Sequence, residues 1–209
     1  MTRQELNQYI DYCILMGNLV NDKDEIYKRL GCDYMSLRHK SLIGSIKVDG
    51  SFYFKRDSHN KIHLVCYEGD YKEVNLGDCV DIIDNFACYT TYREKRHKNP
   101  LISIAGATVE EIGNFAFMGI PLECIDFPKV RKIGGNSFKS TNIEEAELNN
   151  LEEIPMLAFE KSPIKSFRGD KVFYVSQSAF KGCRNLETLI LPKLSKAVID
   201  DLLHNTTDF

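Results

Sequence analysis

Residues 109–117 read Val-Glu-Glu-Ile-Gly-Asn-Phe-Ala-Phe, and three later segments follow the same pattern without a gap. These segments are residues 130–138, 151–159 and 172–180, and each ends on a small residue and a phenylalanine. The aliphatic anchors of the four segments lie 21 residues apart, at Ile112, Ile133, Ile154 and Val175. A register kept over four segments predicts a repeat architecture in which each unit stacks on the next.

A fifth copy precedes these four. Residues 80–88 place Ile83 at the anchor position and Cys88 where the later copies carry phenylalanine. Ile83 lies 29 residues before Ile112, which is 8 more than the period, and an insertion around residues 92–99 explains the excess. The insertion carries a net charge of +3 over residues 92–98, from one glutamate and four basic residues. Those four are Arg93, Lys95, Arg96 and Lys98.

The second half of each unit repeats as well. Residues 186–191, Leu-Glu-Thr-Leu-Ile-Leu, and residues 122–127, Leu-Glu-Cys-Ile-Asp-Phe, end on apolar positions two apart. That spacing is the period of a strand with one buried face. One such strand cannot bury its apolar face alone, so neighbouring units have to stack and the two ends need caps. The earliest match begins at Tyr71.

These residues resemble the BspA-like (Treponema pallidum-type) leucine-rich repeats. Residues 179–192, Ala-Phe-Lys-Gly-Cys-Arg-Asn-Leu-Glu-Thr-Leu-Ile-Leu-Pro, look like the family's core pattern A-F-x-x-C-x-x-L-x-x-I-x-L-P. The chain departs from that pattern after Phe117, Phe138 and Phe159, where the Gly-Cys pair is replaced. The resemblance covers residues 71–194. It implies a solenoid fold and a recognition role, and many relatives are surface proteins.

The predicted fold class is α+β, a β-rich leucine-rich-repeat solenoid of 21-residue repeats between two caps. Residues 1–70 do not repeat and form the N-terminal cap, which begins with a capping box, Thr2-x-x-Glu5, ahead of an amphipathic helix. Two more short helices are predicted within residues 24–40. Residues 46–54 predict a hairpin and residues 62–67 a third strand. This cap covers the open edge of the solenoid.

Residues 195–209 form the C-terminal cap. Ser195 is suited to start a helix, because its hydroxyl can accept a hydrogen bond from a backbone amide of the first turn. Four apolar residues follow at helical spacing and are predicted to share one face: Val198, Ile199, Leu202 and Leu203.

The composition describes an ordinary globular chain. A net charge of -3 gives no general attraction to nucleic acid or acidic lipid, and no apolar run approaches the roughly 18–20 residues of a membrane span. The seven cysteines form no C-x-x-C pair, and no secretory signal precedes them. We therefore expect reduced thiols and a cytoplasmic location.

The outward residues of the repeat strands are the first candidate site. Counting from the buried positions places four acids and one arginine on this face, a charge of -3. They are Glu73, Asp126, Glu145, Glu147 and Arg168. Stacked strands give a flat, rigid surface of the kind that solenoids use to bind partners, and the basic insertion offers a second contact. The predicted function is non-enzymatic recognition of a protein partner. The sequence leaves an adaptor and an inhibitor, encoded by a host or a phage, both open.

The alternative function is transcriptional regulation through a helix-turn-helix-like segment at residues 24–40. Gly31 would form its turn, and Arg38, His39 and Lys40 its basic second helix. Residues 1–70 carry ten basic and ten acidic side chains, however, so the segment has no positive field.

Metal binding and catalysis have little support in the sequence. His59 and His63 lie four residues apart, but a turn separates them and no further ligand completes a set. No nucleophile elbow, phosphate loop or H-E-x-x-H motif occurs. We therefore expect no metal, no cofactor and no small-molecule substrate.

Overall fold

A computed structural model describes residues 1–19, 44–49, 51–89 and 99–206. The described part is a solenoid of short strands with a helix near each end, which confirms the predicted fold. The helices are α1 (Arg3–Leu15) and α2 (Lys196–His204). The strands are β1 (Ile46–Val48), β2 (Phe52–Arg56), β3 (Ile62–Tyr67), β4 (Glu73–Asn75), β5 (Ile82–Ile83), β6 (Ser103–Ala105), β7 (Glu111–Ile112), β8 (Cys124–Asp126), β9 (Lys132–Ile133), β10 (Glu145–Glu147), β11 (Glu153–Ile154), β12 (Ser166–Arg168), β13 (Tyr174–Val175) and β14 (Thr188–Ile190).

Each repeat contributes one strand to each of two parallel ladders. Ladder A consists of β4, β6, β8, β10, β12 and β14, and ladder B of β5, β7, β9, β11 and β13. In ladder B, Ile83 pairs with Ile112 and Ile112 with Ile133, which is the register that the sequence predicts. The eight extra residues before Ile112 therefore do not change the pairing register of β5 with β7.

Strand pairing is interrupted once in each ladder, between the same two repeats. Strands β8 and β10 do not form a hydrogen-bonded pair, and neither do β9 and β11. The turns still connect these repeats, since the Phe138 amide donates to the Ala158 carbonyl and the Ser140 amide to the Glu160 carbonyl, both at 2.8 Å. The solenoid is thus continuous through its turns at this seam.

A column of phenylalanine rings runs through the solenoid. Phe117, Phe138, Phe159 and Phe180 are the closing residues of four repeats, and all are buried. Successive ring centroids lie 5.2–5.4 Å apart with the planes within 14° of parallel. Stacking at this separation is a favourable arrangement for aromatic pairs. Each repeat therefore completes its core with the ring of its neighbour.

The N-terminal cap extends the repeat sheet. Strands β1, β2 and β3 are antiparallel, and β3 then pairs in parallel with β5, so that Leu64 lies beside Ile83. Helix α1 starts with the predicted capping box and buries Leu6, Ile10 and Cys13. These contacts confirm the predicted first helix, the hairpin and the third strand.

Buried charge also joins the cap to the first repeat. Asp81 is buried and accepts hydrogen bonds from the Arg3 guanidinium at 2.6 Å and the Ile62 amide at 2.9 Å. These donors, together with the charge of Arg3, lower the pKa of Asp81 although burial opposes them. The carboxylate is therefore held charged where helix, cap strand and repeat meet.

The C-terminal helix forms as predicted but buries a narrower face. The Ser195 hydroxyl accepts from the Val198 amide and caps α2. Leu202 is buried, and Ile199 and Leu203 pack partly against the core. Val198, predicted on the same face, is 43% exposed, so the solenoid does not cover the predicted face over its whole width. The short helix contacts the solenoid through only about one residue per turn.

The repeats that lack the family's Gly-Cys pair keep its geometry. Gly119, Ser140, Lys161 and Gly182 lie 21 residues apart and all have a positive φ, between 55° and 76°. At the cysteine position, the Cys183 thiol donates to the Phe159 carbonyl at 2.9 Å. The Ser162 hydroxyl makes the equivalent bond to Phe138 at 2.7 Å. In that repeat a hydroxyl therefore replaces the thiol without changing the turn.

Candidate recognition surface

The five ladder residues singled out in the sequence lie on one outward face, which we call the ladder A face. Glu73, Asp126, Glu145, Glu147 and Arg168 are all exposed, each next to a strand position that points inward. The inward positions include Val74, Ala146 and Phe167, which are buried. The structure therefore brings these side chains onto one surface, as the alternation predicts.

Arg168 neutralises part of the acidic charge on this face. It pairs in register with Glu147 on the adjacent strand, and its Nε lies 4.0 Å from the Glu147 carboxylate. The same Nε lies 3.1 Å from Asp170, which is therefore its closer partner. Both contacts are at the surface, where ion pairs contribute little to stability. The C-terminal half of the face is thus close to neutral, and the acidic excess lies in the strands before it.

The acidic excess is centred on the seam between β8 and β10. Asp126 belongs to β8, and Glu145 and Glu147 belong to β10. Glu145 also lies close enough to Lys165 to help raise the pKa of that lysine, although Glu144 is its main partner, at 2.6 Å. Lys165 and Arg168 therefore compensate part of this acidic charge within the chain.

The proposed second contact lies outside the described residues, and so do its four basic side chains, Arg93, Lys95, Arg96 and Lys98. Asn99, the last residue of the insertion, is buried. Its amide nitrogen donates to the Cys88 carbonyl at 3.1 Å, and its side-chain oxygen accepts from the Leu101 amide at 3.1 Å. Asn99 thus fixes the C-terminal base of the insertion to the repeat before it, a role that the sequence analysis missed.

The alternative DNA-binding segment, residues 24–40, also lies outside the described residues and remains a prediction. An electrophoretic shift with random duplex DNA at low salt tests it, because non-specific binding accompanies nearly all specific DNA binding.

The two histidines considered as metal ligands both lie near Asp57, His59 with Nδ1 at 3.8 Å, but no group of three metal-ligating side chains occurs among the described residues. His59 is 84% exposed, whereas His63 is half-buried with Nδ1 at 2.7 Å from Asp84 and Nε2 at 3.4 Å from Asp57. The hydrogen bond to Asp84, followed by the charges of both carboxylates, raises the pKa of His63 against the effect of its burial. The arrangement joins the cap strand β3 to the first repeat, because Asp84 follows β5 directly.

The cysteines fall into two environments. Cys88 and Cys183 are buried in the core, as their repeat positions predict, whereas Cys124 is exposed on the ladder A face. Burial raises the pKa of the Cys183 thiol to about 12, because the core cannot solvate a thiolate. In the described part of the chain, Cys124 is the thiol that solvent reaches.

Taken together, the two parallel ladders, the phenylalanine column and the 21-residue turn geometry define a leucine-rich-repeat solenoid. The family model described as "BspA type Leucine rich repeat region" matches residues 85–208 in six copies. The chain belongs to this family, as the sequence resemblance predicts. Such solenoids are scaffolds that present extended surfaces for protein interaction. None of the described helices combines the length and apolarity that a membrane crossing requires.

Solved structures share the fold at low sequence identity. A leucine-rich cell surface protein from Faecalibacterium prausnitzii has a TM-score of 0.58 and 17% identity over 79% of this chain. The T. pallidum leucine-rich repeat protein has a TM-score of 0.57 and 20% identity over 67% of it. A leucine-rich repeat protein from Eubacterium ventriosum has a TM-score of 0.51 and 17% identity over 70% of it.

The chain is shorter than two of these proteins. The matched part spans 43% of the F. prausnitzii and E. ventriosum structures and 68% of the T. pallidum structure. No curated protein sequence matches the chain.

Proposed function

We propose that this protein is a non-enzymatic recognition module that binds a basic surface of a protein partner through the ladder A face. The observation that supports it most directly is the set of exposed acids Asp126, Glu145 and Glu147, carried on strands whose other side is buried in the core. The insertion at residues 92–99 is the proposed second contact. The proposed setting is the cytoplasm, with the protein acting as an adaptor or an inhibitor.

Rigidity favours this role. The strands of ladder A are pinned by buried side chains such as Ile104 and Phe167, so the outward side chains keep fixed relative positions. Binding through a preformed surface avoids the entropy cost of ordering a loop. A solenoid face of this kind therefore suits selection of one partner shape.

Electrostatics favours a basic partner. Three exposed acids, Asp126, Glu145 and Glu147, flank the seam, and Lys165 and Arg168 compensate only part of their charge. Lysine or arginine side chains of a partner would compensate the rest. We therefore expect association that slows and weakens as the salt concentration rises, because the attracting charges are exposed.

The experiment compares two variants that remove the same charge. One replaces Asp126, Glu145 and Glu147 with alanine. The other replaces Glu111 and Glu153 of ladder B, and Glu152 directly before β11, with alanine. A partner is isolated from native lysate, and its association rate with each variant is measured by surface plasmon resonance. We expect the first variant to bind at least about tenfold more slowly than the wild type, and the second to change the rate by less than about twofold.

A third variant tests the insertion by replacing Arg93, Lys95, Arg96 and Lys98 with alanine. The ladder A proposal is wrong if this variant alone loses the partner while the Asp126, Glu145 and Glu147 variant binds like the wild type. Loss of affinity in both supports a composite surface.

A further inference from the structure

An open groove lies along the outside of ladder B, away from the proposed recognition surface. Its volume is about 510 Å³, and it is built from three consecutive repeats, through residues 82–86, 111–114 and 132–134. The outward side chains of Glu111 and Lys132 line it together with the turn residues that follow each strand. No pattern noted in the sequence predicted this groove.

Two consecutive repeats that line the groove carry glycine at the position after the strand. That position is occupied by Gly113 and Gly134, whereas the repeats on either side carry Asp84 and Pro155. A Cβ atom at Gly113 would lie 2.4 Å from the Asn85 amide nitrogen, and one at Gly134 would lie 2.3 Å from the Asn114 nitrogen. Close packing against the backbone of the preceding repeat therefore requires glycine at both positions. The repeats on either side have a side chain there.

Two asparagines are held rigidly along the groove. The Asn85 side-chain oxygen accepts from the Asn114 amide at 2.6 Å, and the Asn114 side-chain oxygen accepts from the Gly135 amide at 2.8 Å. Both residues are exposed, and in the described residues no acceptor faces either Nδ2 amino group. Two oriented amino groups are thus presented about 4.8 Å apart, the separation of neighbouring strands.

The charges in the groove are compensated within the protein. Asp84 lies 2.7 Å from the His63 ring, and Glu111 lies 3.4 Å from the Lys132 ammonium group. The groove therefore has neither a cationic nor an anionic excess, although its carboxylates still have free lone pairs. Ile82 and Phe86 add apolar surface at one end.

We propose that this groove binds a short neutral saccharide. Hydroxyl groups both donate and accept, so they match fixed amino donors that alternate with carboxylate acceptors. An extended peptide fits less well, because its carbonyls on one edge recur every two residues, about 6.7 Å, against about 4.8 Å between the two amino groups. Because Asp84 and Glu111 are paired with His63 and Lys132, the groove offers no net charge that would favour phosphate or a cation.

The test is a titration of the whole chain followed by NMR of the side-chain amino groups of Asn85 and Asn114. The probes are cellobiose, lactose and maltose. We expect at least one sugar to change the chemical shifts of these amino groups until they saturate. Half-saturation should occur at about 1–10 mM sugar, since a small, open site supplies few contacts.

The variants Asn85→Asp and Asn114→Asp replace each amino donor with a negatively charged carboxylate oxygen, while the other oxygen can still accept from the Asn114 or Gly135 amide. Each should weaken binding about fivefold, which corresponds to one lost neutral hydrogen bond. Gln177→Ala is the matched control, because Gln177 occupies the same turn position three repeats later and should leave the affinity unchanged.

The proposal is overturned if none of the three disaccharides shifts these signals at up to about 50 mM. It is also overturned if the aspartate variants bind as well as the wild type, or if tetra-alanine produces the shifts and the sugars do not. Thermal unfolding of each variant establishes that a lost signal reflects lost binding and not lost structure.

Discussion

The ring of Phe138 lies parallel to the ring of Phe159, with centroids 5.2 Å apart and planes within 10°. Both side chains are completely buried, and each closes the core of its own repeat. Phe138→Ala should therefore lower the free energy of unfolding by about 3–5 kcal/mol, because it removes a buried ring and leaves a cavity between two repeats. Urea denaturation followed by circular dichroism measures this loss.

Phe173→Ala is the matched control for that substitution. Phe173 belongs to the same repeat system but is 52% exposed, so its loss should change the unfolding free energy by less than about 0.5 kcal/mol. Equal effects of the two substitutions would contradict the stacked core.

The repeat register predicted the core for a specific physical reason. Ile112 and Ile133 lie 21 residues apart, as do Phe117 and Phe138, and a strand that must bury one face leaves such residues a single way to stack. The exposure of Val198 was not predictable, because helical spacing alone does not show how much of a short helix the solenoid end can cover.

The left-handed turn position offers a stabilising substitution. Lys161 has a φ of 59°, whereas Gly182 fills the same position in the next repeat. A side chain at this φ costs about 1–2 kcal/mol and glycine's extra unfolded-state entropy costs about 0.5–1 kcal/mol, so Lys161→Gly should gain roughly 0.5–1 kcal/mol. Differential scanning calorimetry should show a higher Tm.

Lys171→Gly serves as the comparison, because Lys171 is exposed but does not have a positive φ. It should lower the Tm slightly. An increase of the same size in both variants would mean that the gain does not come from backbone conformation.

His63 should make stability depend on pH. Its pKa is raised in the folded protein, chiefly by the hydrogen bond to Asp84, from an ordinary value of 6.5. The charged pair therefore stabilises the fold fully below pH 6.5, and this contribution is lost as the pH rises through the folded pKa. The difference in unfolding free energy between the wild type and His63→Gln should shrink as the pH is raised from below 6.5.

His59→Gln is the matched substitution at an exposed histidine, since His59 is 84% exposed. It should change the unfolding free energy by less than about 0.5 kcal/mol. A difference for His63→Gln that grows with pH would contradict the assigned contact.

The thiols should react at very different rates. Cys183 is buried with a pKa raised to about 12, so it stays protonated at pH 8, whereas Cys124 is exposed. In a Cys32→Ser background, Ellman's reagent should modify Cys124 rapidly and Cys183 only as the protein unfolds. Cys124→Ser should abolish the fast phase. Rapid labelling of Cys183 in the folded protein would contradict its burial.

The candidate surface was predicted only in part. Alternation along the strands was enough to place Asp126 and Glu147 outward, because a strand has just two faces. Sequence could not show that Arg168 lies closer to Asp170 than to Glu147, since side-chain distances depend on rotamers. The Asn85–Asn114 groove was missed because its signal is the absence of a side chain in two repeats.

The central claim is that the ladder A face touches a partner, and photocrosslinking from Cys124 tests it most directly. Cys124 lies on β8 beside Asp126, so a benzophenone attached there faces any partner of this surface. The comparison is the same label on Gln177→Cys in a Cys124→Ser protein, with Cys32→Ser in both. In native lysate, the label at Cys124 should crosslink to one protein, and the label at position 177 to none. The yield from Cys124 should fall strongly when Asp126, Glu145 and Glu147 are alanine. Crosslinking from position 177 alone, or an adduct at Cys124 that is unchanged by the alanine substitutions, would contradict it.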